Sequence, residues 1–229
     1  MASGVFITGT DTNVGKTFFG SRFTHYLYKE GIHVAPCKPI ESGCQIKKGF
    51  LFPADGAAYA AAINQADAWQ HITPFRYAAV TSPARAATLS AQTLNLADVL
   101  NIIPQAGFRI IEGAGGLCSP LSHDALNIDL AVALNFPLLL IASDRLGCLN
   151  HCLLSLRSAA QQQLSVAGIV LNQTHAADTS GNNDLDNAAE LAQYTDLPIW
   201  SLPYAANPNH ISAAQENIFA AVWQRLTAC

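Results

Sequence analysis

The chain has 229 residues, half of them hydrophobic and 12% charged, with a formal charge of -4 and a pI near 5.9. That length suits one α/β domain over residues 1–229 with a sizeable core, and the apolar content excludes a disordered chain. With no basic stripe for nucleic acid, no apolar run that spans a bilayer and no targeting segment before Val5, small-molecule partners and a cytoplasmic setting are expected.

The first informative stretch runs from Val5 to Thr17. An apolar β-branched run leads into a turn bearing Gly9 and then into Gly15-Lys16-Thr17, which opens an amphipathic helix from Phe18 to Glu30. Strand, loop and helix in that order are what a phosphate-binding loop needs. The first backbone N–H groups of such a helix have no intrahelical partner, so they face an anion that the helix dipole also favours. Lys16 is expected to reach the outer phosphates and Thr17 to ligate Mg2+. The spacing is unusual: five residues separate Gly9 from Gly15, where the common pattern has four.

Gly31 stops that helix, and His33 to Cys37 reads as a second strand delivering Lys38, Ser42 and Gly43 at its carboxyl end. In an open parallel sheet ligands bind outside those ends, so Lys38 is placed to meet whatever the phosphate loop holds. Residues 45–53 read as a loop with Lys47-Lys48 a solvated pair, and Asp55 as the N-cap of an Ala-rich helix from Gly56 to Ile63. The stretch from Asn64 to Ala79 shows no pattern. Ser82 and Pro83 then start a helix, and Leu96 to Ile103 forms another.

Phe108 to Glu112 is an apolar strand ending in a carboxylate, followed by the Gly-rich turn 113–116. That arrangement holds Mg2+ directly or through water beside a nucleotide, the glycines letting backbone approach the ligand. A helix follows from Asn127 to Leu134, then a continuous apolar strand from Phe136 to Ser143 of the kind covered on both faces. The next helix begins around Gly147 to His151 and reaches about Gln162, and its start is a second potential anion site. The strand from Val166 to Leu171 ends at Asn172, a candidate to read a base edge. A polar loop over 178–186, a helix from Asn187 to Tyr194, a strand from Pro198 to Leu202, a turn to Asn209 and a helix from Ser212 to Leu226 complete the chain. Strands alternating with helices predict one doubly wound, mostly parallel sheet of the P-loop NTPase type.

Six cysteines, at 37, 44, 118, 148, 152 and 229, show neither Cys-x-x-Cys pairs nor disulfide-scaffold density and are expected to be reduced. Cys148 and Cys152 with His151 offer too few ligands for a tetrahedral metal site and read as small buried residues.

The order and spacing of Gly9-Thr10-Asp11-Thr12-x-Val14-Gly15-Lys16-Thr17, Lys38-Pro39-x-x-Ser42-Gly43, Asp55, Thr81-Ser82-Pro83, Glu112-Gly113-Ala114-Gly115-Gly116, Leu146 to His151 and Asn172 resemble the dethiobiotin synthetases over about residues 3–210. In that family the five-residue spacer is normal. The resemblance implies ATP- and Mg2+-dependent ring closure of 7,8-diaminononanoate with CO2, through a carbamate and a carbamic-phosphoric anhydride. It matches Lys16 and Lys38 to catalytic cations, and Thr17, Asp55 and Glu112 to metal ligands. It assigns the nucleotide to Asn13, Val14, Gly15, Lys16, Thr17, Phe18, Asp55, Glu112, Gly113, Ala114, Gly115, Asn172 and Gln173 and the turn Pro203, Tyr204, Ala205. Substrate falls to Thr12, Lys38 and Ser42, and to Gly147, Cys148, Leu149 and Asn150 from the neighbouring subunit of a homodimer. Asn13 departs from a well-known bacterial member, which has an acid there, and Glu41 adds a carboxylate beside Lys38 and Ser42.

Two other classes share parts of this pattern. Partition or septum-positioning ATPase switches share the fold and a related loop, but usually carry a further Lys early in it, where this chain has Gly9-Thr10-Asp11. Cobyrinate-type amide ligases normally add a glutaminase portion, for which this chain has no room.

Overall fold

The computed structural model describes residues 3–175, 185–205, 207 and 210–228. The loop expected over 178–186 lies mostly outside them, as do Cys229 and residues 206, 208 and 209 of the turn after Leu202. In chain order the elements are β1 (Gly4–Gly9), α1 (Lys16–Lys29), β2 (Val34–Cys37), β3 (Ile40–Ser42), β4 (Gln45–Lys47), β5 (Phe50–Phe52), α2 (Ala54–Ala62), α3 (Trp69–Ile72), β6 (Phe75–Tyr77) and α4 (Pro83–Leu89). There follow α5 (Leu96–Asn101), β7 (Phe108–Gly116), α6 (Asn127–Leu134), β8 (Leu138–Ser143), α7 (Cys148–Gln161), β9 (Val166–Asn172), α8 (Asn187–Leu191), β10 (Ile199–Leu202) and α9 (Ala213–Thr227).

Six strands form a parallel sheet in the order β10-β9-β8-β1-β7-β2. From central β1 the chain runs first to the edge strand β2, returns to β7 beside β1, and then crosses to β8, β9 and β10 on the other side, so the carboxyl end of β1 opens into the crevice where the winding reverses. Successive residues of β1 face opposite sides, as a strand period of two requires. Val5 and Ile7 join Phe19, Phe23 and Leu27 of α1, Tyr59 of α2 and Phe219 and Val222 of α9 in one core. Phe6 joins Ala86 of α4, Val99 of α5, Leu130 of α6, Cys152 of α7 and Leu191 of α8 in the other. Two buried faces explain why β1 and β8 are apolar without alternation.

Several expectations are corrected. Residues 45–53 are not a loop: β4 and β5 form an antiparallel hairpin, its two turn residues Lys48 and Gly49 having φ of 51° and 81°. Two consecutive positive φ values fit the right-handed twist of the flanking strands, and Gly supplies the second at no steric cost. The hairpin is pinned from below, with Lys47 4.1 Å over the Phe52 ring, Phe52 edge-on to Trp69 and Arg76 over Trp69. The patternless stretch 64–79 contains α3 and β6, and β6 pairs in parallel with β3 in a separate two-stranded sheet. Asp55 is not an N-cap; α2 begins at Ala54, two residues before the expected Gly56, with Pro53 at the cap position. Residues 113–116 are not a turn but continue β7, with Gly116 in register with Gly9. Helices α5 and α8 end earlier than expected, at Asn101 and Leu191, and β8 begins later, at Leu138.

The five described cysteines are free, and Cys118 alone of them is exposed. Burial pushes the thiols of Cys37 and Cys152 up to about 12, which leaves almost no reactive thiolate near neutrality. Brief iodoacetamide treatment of the native protein at pH 8 is expected to label Cys118 and spare Cys37 and Cys152 until denaturant is added, as read by peptide mass mapping.

Candidate functional site

A cleft of about 670 Å3 lies at the carboxyl ends of β1, β2 and β7. The phosphate loop forms one wall. Asn13 sits in the left-handed region at φ 58°, which Asn tolerates, and Gly15 at φ 98°, where a side chain would be strained. A Cβ on Gly15 would also fall 2.0 Å from the Asn172 amide nitrogen. That amide donates to the Val14 carbonyl at 3.0 Å, so Asn172 braces the loop from beneath, while its own Oδ1 is buried with no partner. Lys16 donates to the Asp11 carbonyl at 2.8 Å. Burial, and then the neighbouring charge of Lys38, lowers its pKa to about 8. An ammonium held at such a cost is stabilised by any anion that enters, which suits a phosphate site.

The opposite wall is a cluster of charges. Lys38, at the end of β2, is buried and forms ion pairs with Glu112 of β7 and, at 3.1 Å, with Asp55 in the first turn of α2. Its ammonium also donates to the Gly113 carbonyl at 3.3 Å. Burial opposes the charge on Lys38, but the two carboxylates outweigh it and hold its pKa above the usual lysine value. Burial likewise opposes the charge on Asp55, and Lys38 with the Thr17 hydroxyl pulls its pKa below the ordinary aspartate value. Thr17 donates to Glu112 Oε1 at 2.8 Å and the Tyr59 phenol donates to Oε2 at 2.7 Å. Helices α1 and α2 and strands β2 and β7 therefore converge on one carboxylate.

Glu41 is buried, and its carboxylate accepts the backbone N–H of Asp55 at 3.1 Å and of Gly56 at 3.2 Å. It supplies the cap that Pro53 cannot, satisfying two of the free donors at the start of α2. The extra acid thus serves α2 and sets the position of Asp55. Asn127 holds the glycine-rich end of β7: its amide accepts from the Ala114 N–H at 3.0 Å and donates to the carbonyls of Ala114, Gly116 and Ser119.

Of the residues singled out in the sequence, Thr12, Asn13, Gly15, Lys16, Thr17, Phe18, Lys38, Ser42, Asp55, Glu112, Ala114 and Gly115 line this one cleft, with Ile40, Val80 and Thr81. Ser42 is tied to the Thr81 carbonyl at 2.6 Å. Val14 and Gly113 support the walls through their carbonyls. Gln173 donates to the Leu202 carbonyl, placing the end of β9 beside the turn at Pro203, Tyr204 and Ala205, which are not among the lining residues. Gly147, with φ 89°, caps α7; neither it nor Cys148, Leu149 and Asn150 line the cleft within this chain. Glu41 as a cap, Asn127 and Tyr59 were not legible as site residues. Tyr59 carried a signal, since it lies four residues after Asp55 on one helix and so shares its face.

The fold and the loop define a P-loop NTPase-like, ATP-using protein. A family model described as an AAA domain matches residues 3–207. The ATP-dependent dethiobiotin synthetase BioD of Ruthia magnifica subsp. Calyptogena magnifica is 35% identical over 215 residues, covering 94% of this chain and 96% of that one. Its counterpart in Vesicomyosocius okutanii subsp. Calyptogena okutanii is 36% identical over 196 residues, covering 86% and 88%. The chain belongs to the ATP-dependent dethiobiotin synthetase family, and is an enzyme of the cyclo-ligase type that acts in dethiobiotin synthesis. Solved structures that share the fold include the Pyrococcus furiosus cell division ATPase MinD, with TM-score 0.59, 14% identity and coverage of 98% and 99%. A nucleotide-binding protein from Archaeoglobus fulgidus in complex with ADP has TM-score 0.50, 12% identity and coverage of 96% and 88%. At these identities the two speak to fold alone.

Replacing Glu41 with Ala leaves two N–H groups of α2 without acceptors and is expected to cost about 1–3 kcal/mol. Glu41→Gln, which keeps an acceptor oxygen, should recover most of that in urea denaturation.

Proposed function

We propose that this enzyme carboxylates and closes 7,8-diaminononanoate into dethiobiotin at the cleft between the phosphate loop and Lys38, using ATP, Mg2+ and CO2. The observation that carries the reading is the buried Lys38 ammonium, held by Asp55 and Glu112 across the cleft from Lys16. One amine adds to CO2, losing a proton, and becomes a carbamate. A carbamate oxygen then attacks the γ-phosphorus of ATP, the bond to the bridging oxygen breaks, and ADP leaves. The second amine attacks the carbamoyl carbon and gives up a proton, phosphate leaves with the C–O bond electrons, and the ureido ring is closed.

Carbamate and triphosphate are both anions, so the chain must supply positive charge where they meet. Lys16 serves the phosphates and Lys38 steadies the carbamate. Thr17, Asp55 and Glu112 offer one hydroxyl and two carboxylates, a hard oxygen set that suits Mg2+. Among the described residues no three His, Cys, Asp or Glu side chains cluster as a metal cage. Mg2+ does not need one, because it is commonly held by one or two carboxylates with water and substrate phosphates. When bound, it would neutralise charge on the transferring phosphoryl group.

Asn13, Gly15, Phe18, Ala114 and Gly115 are assigned to the nucleotide beside Lys16. Asn172, whose Oδ1 is unpartnered, is assigned with Gln173 and residues 203–205 to the base. Thr12 and Ser42 are assigned to the diamine, and the start of α7 at Gly147 to Asn150 to the substrate carboxylate of the partner subunit in a cytoplasmic homodimer. The whole chain acts as one domain, with no nucleic-acid or membrane partner. Among the described residues no helix is long and apolar enough to cross a membrane.

A mass-spectrometric assay with protein, ATP, Mg2+, bicarbonate and the diamine tests the reaction. The expected product is heavier than the diamine by CO less two hydrogens and depends on all components; ADP release that ignores the diamine would point to a switch ATPase instead. Lys38→Ala is expected to keep ATP binding within a few-fold and to lose diamine-dependent turnover by roughly 100- to 1,000-fold, the scale for removing one preorganised charge stabiliser. Near wild-type turnover would remove Lys38 from the reaction. Glu112→Gln should raise the Mg2+ concentration needed for half-maximal rate, as read by metal titration at saturating ATP.

A further inference from the structure

Tyr59 lies on α2, has no exposed surface, and packs in the core between α1 and the sheet. A phenol in such a place needs a hydrogen-bond partner, and a core position on an Ala-rich helix is filled more simply by an aliphatic residue. Here the hydroxyl donates to Glu112 Oε2 at 2.7 Å. The other oxygen of the same carboxylate, Oε1, takes the donors that face the cleft, the Thr17 hydroxyl and the Lys38 ammonium. The two oxygens are thus divided between core and cleft.

The packing around the phenol is specific to that contact. Gly20 on α1 faces it so closely that an added Cβ would fall 1.9 Å from the hydroxyl and 2.9 Å from the ring carbon bearing it. A side chain at position 20 would therefore drive the hydroxyl off Glu112. Gly in a helix interior costs about 1 kcal/mol relative to Ala, so the helix forgoes stability where the phenol needs room.

We propose that Tyr59 is a positioning residue for Glu112: its phenol fixes Oε2 and the plane of the carboxylate, so that Oε1 is presented to Thr17, Lys38 and a divalent cation. This rests on the reading that Thr17, Asp55 and Glu112 form the metal shell. Groups that orient a metal-ligating carboxylate typically alter metal affinity 10- to 100-fold when removed.

The test is Mn2+ binding followed by electron paramagnetic resonance in the presence of ADP, with calorimetric ADP binding in excess chelator as the control for folding. Tyr59→Phe is expected to weaken Mn2+ roughly tenfold while metal-free ADP affinity stays within twofold. Gly20→Ala should weaken Mn2+ similarly, and adding it to Tyr59→Phe should bring no further loss of metal affinity, because the contact it disrupts is already gone. Mn2+ affinity within twofold of wild type in Tyr59→Phe, with Glu112→Gln clearly weakened, would overturn the role of Tyr59 and leave the metal shell standing. Unchanged affinity in Glu112→Gln as well would remove Glu112 from that shell and overturn both. Loss of metal-free ADP binding in Tyr59→Phe would assign the residue to structure and reject the positioning role.

Discussion

The constraint on which the site depends is an ammonium buried between two carboxylates. Taking Lys38 and Glu112 out of water, with Asp55 still 36% exposed beside them, costs more than their mutual attraction returns unless the geometry is good and the remaining lone pairs are filled. Lys38 meets those terms because Asp55 and Glu112 come from different elements, α2 and β7, and the Gly113 carbonyl and the Thr17 and Tyr59 hydroxyls take up the remaining valences. A hydrophobic trio would hold the same elements together at less cost. The polar cluster is therefore better understood through its task than through stability, since it keeps a cation dry and aimed before any ligand arrives.

That cluster explains features that look unrelated along the chain. Helix α2 has to begin where Asp55 can reach Lys38, and Pro53 offers no side-chain acceptor there; Glu41, fourteen residues before Asp55, supplies the cap through space. The same α2 carries Tyr59 one turn on, so a single helix addresses both carboxylates, one through its first turn and one through its phenol. Across the cleft the phosphate loop is held by a different device, the Asn172 amide pressed beneath Gly15. The two walls thus have separate braces, one through α2 and β7 and the other through β9, and the Thr17 hydroxyl joins them at Glu112.

Much of the fold was legible because its signals are local. Apolar runs such as Leu138 to Ser143 mark strands covered on both faces, and Gly15-Lys16-Thr17 after β1 marks the loop. What escaped detection was non-local or cooperative. The short β3 and β6 exist only because each pairs with the other across more than thirty residues, and neither has a period long enough to see. The hairpin at 45–52 was hidden because Lys47-Lys48 looks like solvated charge, whereas Lys48-Gly49 was the informative pair. The run Gly113-Ala114-Gly115-Gly116 suggested a turn, yet Asn127 holds it extended from a helix that starts eleven residues later. In the site, residue types at strand ends pointed to Lys38 and Glu112. Glu41 and Tyr59 were not visible as site residues because a carboxylate that caps a distant helix and a phenol in a core look like ordinary residues until the chain is folded.

The likeness to MinD separates what the fold supplies from what the site adds. A parallel sheet with a phosphate loop after its central strand binds nucleotide in many proteins, so the scaffold by itself leaves the reaction open. The second half of the chemistry depends on what faces the terminal phosphate. A hydrolytic switch needs an ordered water there. A ligase that phosphorylates a carbamate needs a site that attracts a weak anionic nucleophile and keeps water from competing with it. A buried ammonium with its countercharges beside it, opening on a cleft lined by the buried Ile40, is suited to the second task. In the proposed reaction the metal would draw on the same two carboxylates that hold Lys38, so nucleotide binding and the freeing of that ammonium for the carbamate would be coupled through Asp55 and Glu112. The placement of α2 by Glu41 would then matter for more than stability, because it sets how the two cations would share one pair of acids.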